Sequence, residues 1–151
     1  MAPFDIRKAR ADDLDFICKC NLHMAKETEN KTLEPDTVRA GVKAVLENPS
    51  RGFYLIAEHH NYRVGQLMVT FEWSDWRNGM FWWIQSVFVL EEQRRKGVFS
   101  ALFHSLKSQA MEQDSVCGLR LYAMESNKKA HSTYLNMGME QTEYLMFEKH
   151  W

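Results

Sequence analysis

The chain has 151 residues, 45% of them hydrophobic and 13% aromatic, with a formal net charge of −1. This size and composition predict a single packed domain over residues 1–151 and argue against disorder. The near-neutral charge removes the usual electrostatic case for nucleic-acid binding, and no apolar stretch is long enough to span a membrane.

The first fifty residues predict one strand followed by two helices. Phe4–Lys8 has strand character, and the Asp12–Asp13 pair offers caps for a first helix that ends near Thr28–Lys31. Glu34-Pro35-Asp36 begins a second helix, and Asn48-Pro49 ends it.

The middle of the chain predicts an antiparallel meander. Three segments with strand character are separated by short polar turns: Phe53–Glu58, Arg63–Trp73 and Met80–Leu90. Within the third, Phe81-Trp82-Trp83-Ile84 lacks alternation, which is typical of a central strand covered on both faces.

The last third returns to helical spacing and then alternates once more. A helix begins at Lys96, a strand is predicted at Leu119–Met124, and a further helix runs from Asn127 to Met137-Gly138-Met139. Thr142–Lys149 is predicted as a last strand. The order β-α-α-β-β-β-α-β-α-β indicates an α+β domain with a mixed central sheet flanked by helices.

The segment between the third meander strand and the following helix could hold a phosphate group. Its helix opens at Arg95–Val98, where unpaired backbone N–H groups gather at the positive end of the helix dipole. Arg94, Arg95 and Lys96 add positive charge there, and Gly97 permits close approach to the backbone. On these residues alone, a solvated charged loop is an equal alternative.

Two motifs in the second half of the chain share their spacing with one protein family. Val87-Phe88-Val89 precedes the turn Arg94-Arg95-Lys96-Gly97-Val98-Phe99, and a later helix carries Asn127, Ala130, Tyr134 and Gly138. The chain thereby resembles the GNAT superfamily of N-acetyltransferases, whose motifs read Gln/Arg-x-x-Gly-x-Gly/Ala and Asn-x-x-Ala-x-x-x-Tyr-x-x-x-Gly-Phe. It departs from them at Phe99, where the family has Gly or Ala, and at Met139, where Phe is commoner.

The resemblance implies a GNAT-like fold and acetyl-CoA as co-substrate. In such a protein, the main chain of Val87-Phe88-Val89 and the Asn127 side chain would bind the pantetheine arm, and Tyr134 would face the thioester sulfur as a general acid. The pyrophosphate would be held by the residues of the turn and the start of the helix: Arg94, Arg95, Lys96, Gly97, Val98, Phe99 and Ser100. Since main-chain groups would hold it, the Phe99 side chain can point away along the helix.

The general base is left open between several groups. Some family members have a glutamate in the strand that carries Val87, but Gln85 in the comparable region cannot accept a proton. Glu72, Glu125 and a chain of water molecules remain as alternatives.

The resemblance also implies where the acceptor would bind. The first two helices and the meander loop wall the acceptor cleft in this fold. The relevant residues are Glu27, Thr28, Glu29, Glu72, Trp73, Asp75 and Trp76. Carboxylates beside tryptophans could hold an ammonium group, which favours a small amine, polyamine or amino-acid-like acceptor. The alternative is that the tryptophans pack while the acids are solvated.

Cysteine spacing indicates free thiols rather than a disulfide framework or a metal site. Cys18 and Cys20 are two apart in a predicted helix and point to different faces, and no histidine grouping suits a metal. With no signal-peptide pattern at the N-terminus, a cytoplasmic protein is expected.

Other functions and assemblies remain open. The last strand could support a homodimer, as in relatives of this fold. A non-catalytic acyl-CoA-binding or regulatory module, and acetylation of a protein N-terminus or lysine, are the alternatives to small-amine acetylation.

Overall fold

The computed structural model describes residues 3–151, which divide into two compact units. One unit ends at Leu121 and the other is Tyr122–Trp151. The first unit contains β1 (Asp5–Lys8), α1 (Leu14–Glu29), α2 (Pro35–Glu47), β2 (Phe53–His59), β3 (Tyr62–Ser74), β4 (Gly79–Val89), α3 (Val98–Met111) and β5 (Val116–Arg120). The second contains α4 (Lys128–Asn136).

The five strands form one mixed sheet in the order β1-β2-β3-β4-β5. The first four are antiparallel neighbours, of which β2, β3 and β4 form the predicted meander, whereas β4 and β5 run parallel. The run Phe81–Ile84 lies in β4 between two paired strands, which confirms a central strand. The mixed sheet flanked by helices confirms the predicted fold class.

The two faces of the sheet are covered by different helices. Tyr54 and Ile56 of β2 pack with Ile17 of α1 and Val42 of α2 in one buried cluster. Leu55 alternates to the opposite face and is fully buried, and α3 packs against this strand and its neighbours. The buried residues of α3 are Val98, Leu102, Phe103, Leu106 and Ala110.

Local sequence signals account for the ends of the first two helices. Asn30 ends α1 in the left-handed conformation, φ 52°, which Asn tolerates better than most residues. The Glu34 side chain accepts hydrogen bonds from the N–H groups of Asp36 and Thr37, and Pro35 occupies the first helical position of α2. Both ends agree with the sequence prediction.

Two predicted strands are corrected by the structure. The strand expected at Leu119–Met124 instead spans Val116–Arg120, because its pairing with β4 begins at Met80 and ends at Trp83. The strand expected at Thr142–Lys149 is absent from the described chain, where no segment pairs with it. An alternating pattern alone does not make a strand, because the ladder needs a partner.

Asp13 is a buried charge rather than the simple helix cap that the sequence suggested. Its side chain is fully buried and accepts hydrogen bonds from Arg7 (2.7 Å), from the Arg10 backbone N–H (2.6 Å) and from Arg63 (2.6 Å). Burial by itself raises the pKa of Asp13, but the bonds from Arg7, Arg10 and Arg63 outweigh it, so the pKa lies well below its ordinary value. Through Arg7 of β1 and Arg63 of β3, this carboxylate links both strands to the start of α1.

We expect Asp13→Asn to lower the free energy of unfolding by about 1.5–3 kcal/mol, because it removes the charged acceptor of hydrogen bonds from two partly buried arginines, Arg7 and Arg63. Since the folded pKa is depressed, the contribution is complete above the unfolded pKa of about 3.9 and is lost as pH falls toward the folded value. Urea unfolding between pH 7 and pH 2 measures both effects. The control is Asp12→Asn, whose side chain is 65% exposed and should change stability by less than about 0.5 kcal/mol. Equal losses in the two variants would contradict this account of Asp13.

Candidate active site

The pairing between β4 and β5 stops halfway along β4. Trp83 and Arg120 form the last registered pair, while β4 continues to Val89. No strand among residues 3–151 pairs with Ile84–Val89 on the side away from β3. The carbonyls of Ser86 and Val89 accept side-chain hydrogen bonds from Gln66 and Arg94. The other backbone groups on that side have no partner strand in the described chain, so an extended ligand can bind there as an additional strand.

A β-bulge lies within this open edge. Gln66 of β3 pairs with Phe88, and Met68 pairs with Gln85, so Leu67 alone stands opposite both Ser86 and Val87. Ser86 adopts a φ of 50°, which is uncommon for a residue other than glycine. Bulges bend a strand and redirect its backbone groups, and they are frequent beside active sites. The sequence carried no signal for this bulge, because Ser is an ordinary strand residue.

The chain then turns sharply into the N-terminus of α3. Arg95 (φ 63°) and Gly97 (φ 91°) are both left-handed, and Gly97 is the N-cap residue of α3. Helix geometry leaves the first N–H groups of α3 without intrahelical acceptors, and Gly97 has no side chain to cap them. These donors lie at the positive end of a helix dipole, an arrangement that binds phosphate.

The three basic residues of the turn have different environments. Arg94 is engaged within the protein: its Nε donates to the Val89 carbonyl (2.9 Å), its Nη1 pairs with Glu27 (2.8 Å), and its guanidinium lies over the Phe88 ring (5.2 Å). Arg95 and Lys96 are exposed and form no ion pair with any described residue. Arg94 therefore links the turn to α1, while the charges of Arg95 and Lys96 face solvent.

The start of α3 lies tight against the sheet. A Cβ on Gly65 of β3 would be 2.9 Å from Cγ1 of Val98 and 3.2 Å from the Phe88 carbonyl oxygen, so glycine is needed for this contact. The Phe99 ring lies 6.2 Å from that of Phe103, one turn further along α3. The side chain that departs from the family motif thus extends along the helix, as expected.

The motif residues of the second unit lie on or next to α4. Asn127 is its N-cap residue, and its Oδ1 accepts a hydrogen bond from the N–H of Ala130 (3.2 Å). Tyr134 lies one residue before Leu135 in the same helix, and burial raises the pKa of its hydroxyl above the ordinary value. A raised pKa keeps the proton on the phenol at neutral pH. Glu125 is exposed in the loop that precedes α4.

Glu72 forms the centre of a polar cluster at the end of the β4–β5 ladder. Its Oε1 accepts hydrogen bonds from Trp83 Nε1 (2.9 Å) and from Arg120 (2.8 Å), and the Arg120 guanidinium stacks over the Phe81 ring at 3.6 Å. Bonding to Trp83 is the main reason why the pKa of Glu72 is lowered, and Arg120 adds to it. The carboxylate is thus stabilised in its charged form.

The other predicted acceptor residues are not gathered around Glu72. Trp73 follows Glu72 in β3 and so points to the opposite face of the sheet. Asp75 and Trp76 lie in the β3–β4 turn, where Trp76 is 86% exposed, and Glu29 pairs with Lys31 at the end of α1. The tryptophan beside Glu72 is Trp83, which sequence reasoning missed; cross-strand register between β3 and β4 was the signal that could have found it.

Among residues 3–151, no cluster of three or more His, Cys, Asp or Glu side chains is arranged to hold a metal ion. No helix in the same range is long and apolar enough to cross a membrane. The geometry instead fits a ligand with an extended, amide-bearing arm and a phosphate group: the open edge of β4 suits the arm, and the N-terminus of α3 with Arg95 and Lys96 suits the phosphate.

Sequence comparison identifies the family to which this arrangement belongs. The model of the Acetyltransferase (GNAT) family matches residues 19–139, which include both motifs. The chain belongs to the GNAT family. As a GNAT acetyltransferase, it uses acetyl-CoA as co-substrate. No sequence among the curated proteins matches it significantly.

Solved structures share this GNAT fold over nearly the whole chain. A possible acetyltransferase from Clostridium difficile 630 is 44% identical, with a TM-score of 0.92 and 99% of each chain covered. A predicted acetyltransferase from Clostridium acetobutylicum, solved with acetyl-CoA, is 18% identical, with a TM-score of 0.77 and 96% of each chain covered. AAC(6')-Iy, in complex with the bisubstrate analogue CoA-S-monomethyl-acetylneamine, is 16% identical, with a TM-score of 0.78 and 99% of each chain covered. The last two similarities concern the fold.

Proposed function

We propose that this GNAT protein is an N-acetyltransferase that transfers the acetyl group of acetyl-CoA to a primary amine by direct attack in a ternary complex. The acceptor is a small amine, a polyamine or an amino-acid-like molecule. The observation that carries the proposal is the open edge of β4, which leads directly into the uncapped N-terminus of α3. In this proposal the two units form one acetyltransferase domain, which the family match supports because it crosses their boundary at Leu121.

The chemistry requires a bound thioester, an amine and a few protein groups. Acetyl-CoA, when bound, supplies an activated thioester: an amine attacks its carbonyl carbon, the C–N bond forms, the C–S bond breaks, and the electron pair leaves on sulfur. A backbone N–H of the bulged segment of β4 stabilises the developing oxyanion. Val87-Phe88-Val89 and Asn127 bind the pantetheine arm, and the turn from Arg94 through Lys96, Gly97 and Val98 to Ser100 holds the pyrophosphate.

Tyr134 is the proposed general acid. It donates its hydroxyl proton to the sulfur as the thiolate leaves. Burial raises the pKa of Tyr134, so the phenol carries the proton that this role requires at neutral pH. The amine must lose a proton in the same reaction. Glu125 or a water chain accepts it in this scheme, because the lowered pKa of Glu72 makes that carboxylate a weaker base.

Glu72 is better suited to binding the acceptor than to removing its proton. The carboxylate stays ionised and is 44% exposed. Its Oε1 binds both the indole N–H of Trp83 and the guanidinium of Arg120, so the proposal assigns the ammonium group to Oε2. A negative charge next to an aromatic ring attracts an ammonium group by ion pairing and cation–π contact. Asp75, Trp76 and Glu29 remain proposed acceptor residues outside this cluster, whereas Trp73 points to the opposite face of the sheet.

Tyr134→Phe is expected to lower kcat by about 10²-fold or more, because it removes the acid while keeping the ring. The Kd for CoA should change little. Release of free thiol from acetyl-CoA with a panel of amines measures turnover, and calorimetry measures CoA binding. Tyr62→Phe, which alters an exposed tyrosine far along the chain, is the matched control and should leave both quantities unchanged. Wild-type turnover by the Tyr134 variant would remove this residue from the mechanism.

The same assay separates the alternative functions. Tight CoA binding without turnover of any amine would indicate a binding or regulatory module. Reaction with peptides but not with free amines would indicate protein acetylation.

Glu72→Gln should raise the KM for the amine more than it lowers kcat, because the proposal gives Glu72 a role in binding the acceptor. A larger effect on kcat than on KM would make Glu72 the base.

We also infer that the protein forms a homodimer through its C-terminal segment 142–151. Large apolar side chains are exposed there: Tyr144 77%, Leu145 81%, Phe147 89% and Trp151 107%. Apolar patches of this kind mark interaction surfaces. Burying them in two copies would remove roughly 1,200–1,600 Å² from water, the size of a stable interface.

The free thiols Cys18, Cys20 and Cys117 support a cytoplasmic location of the protein, which the localisation of a fluorescent fusion would test.

Light scattering after size exclusion should give the mass of a dimer for the wild type. The double change Leu145→Asp and Phe147→Asp should give a folded monomer, because two charges cannot be buried in an apolar interface. Tyr62→Asp introduces the same charge at a residue that is also 77% exposed but lies outside the segment, and it should stay dimeric. A monomeric wild type, or a dimeric double variant, would rule out this interface.

A further inference from the structure

A fully buried amide connects the bulge of β4 to α1. The Gln66 side chain has no solvent exposure, and its Nε2 donates to the Ser86 carbonyl (3.0 Å) and to Oδ1 of Asn21 (2.9 Å). Its Oε1 is the one buried side-chain polar atom in the described part of the chain that lacks a hydrogen-bond partner. An unsatisfied buried acceptor costs stability, so the interactions that keep Gln66 in place are those that its Nε2 donates.

The Ser86 carbonyl belongs to the residue that distorts the strand. Ser86 lies in the bulge at a φ of 50°, and the extra residue of a bulge leaves the regular ladder. Such a conformation persists only when its surroundings hold it. The hydrogen bond from Gln66, in the neighbouring strand β3, stabilises this conformation of Ser86. Ser86 directly precedes Val87–Val89 of the open edge.

The network continues beyond the bulge into α1. Asn21 also hydrogen-bonds the hydroxyl of Tyr54, a residue of β2 that is only 3% exposed. Two turns further along α1, Glu27 pairs with Arg94, whose Nε donates to the Val89 carbonyl. One helix therefore constrains both ends of the segment Ser86–Val89.

We propose that Gln66 is a positioning residue for acetyl transfer, which holds the bulge at Ser86 so that the open edge of β4 stays aligned for the thioester. The proposal rests on the proposed acetyltransferase function. Gln66 is buried and acts through Ser86 rather than by touching the substrate. The position demands two donors, since both of its partners are acceptors, and a primary amide is the uncharged side chain that offers two.

Substitutions at Gln66 separate donation from packing. Methionine keeps an unbranched chain of similar length but donates nothing. Glutamate has nearly the same shape, but its carboxylate would face two acceptors. Burial raises the pKa of such a carboxyl, and protonation restores one donor, so lowering the pH should partly rescue Gln66→Glu but not Gln66→Met.

The test combines amide hydrogen exchange in the ligand-free protein with steady-state kinetics. In Gln66→Met, amides of residues 86–89 should exchange at least about tenfold faster while those of residues 80–83 keep their wild-type rates. In the same variant, kcat should fall about 10²-fold, whereas the KM for acetyl-CoA changes by less than about fivefold. Gln109→Met removes a side-chain amide bonded to Ser105 in α3 and should change neither readout.

Each outcome bears on the proposal. Wild-type exchange at residues 86–89 together with wild-type kcat in a folded Gln66→Met protein would overturn it. So would identical pH profiles of kcat for Gln66→Glu and Gln66→Met. If neither variant folds, Asn21→Ala removes one acceptor and should raise exchange at residues 86–89 by a smaller factor; no change there would also overturn the proposal. Failure of the acetyltransferase function is seen separately, as absence of wild-type turnover, because the exchange measurement needs no substrate.

Discussion

The parting of β5 from β4 after the pair Trp83–Arg120 is the constraint on which the candidate site depends. Up to that pair, the backbone groups of β4 are used on both sides by neighbouring strands. Beyond it, one side of Ile84–Val89 is open, and buried or half-buried backbone groups need partners. A co-substrate with amide groups in an extended arm meets that need. In the proposed complex, acetyl-CoA would supply those partners, and its recognition would depend more on the backbone of β4 than on particular side chains.

Two features keep this open edge in place without a neighbouring strand. On the side of β3, Gln66 holds the carbonyl of the bulged Ser86, and at the far end Arg94 holds that of Val89. Both are tied to α1, through Asn21 and Glu27 respectively. Of the three basic residues in the turn, Arg94 therefore forms bonds within the protein, whereas Arg95 and Lys96 face solvent. The three basic residues of this turn are therefore not equivalent as candidate ligands for a phosphate group.

Much of the fold could be predicted because its signals are local. Pro35 with the Glu34 cap, the glycine at position 97 and the apolar spacing of α3 act within a few residues of themselves. The features that were missed depend on register and on partners. Whether Thr142–Lys149 forms a strand depends on a neighbour, and the pairing of Glu72 with Trp83 rather than Trp73 depends on how β3 and β4 align. Asp13 was read as a cap because its partners, Arg7 in β1 and Arg63 in β3, come together with it only through the tertiary fold.

Amide hydrogen exchange of the wild-type protein with and without CoA tests the central claim most directly. If the open edge of β4 binds the pantetheine arm, CoA should slow exchange within residues 84–89 and at the first turn of α3. The amides of residues 80–83, already paired with β5, should be unaffected. Saturation with CoA that leaves exchange at residues 84–89 unchanged would contradict the account.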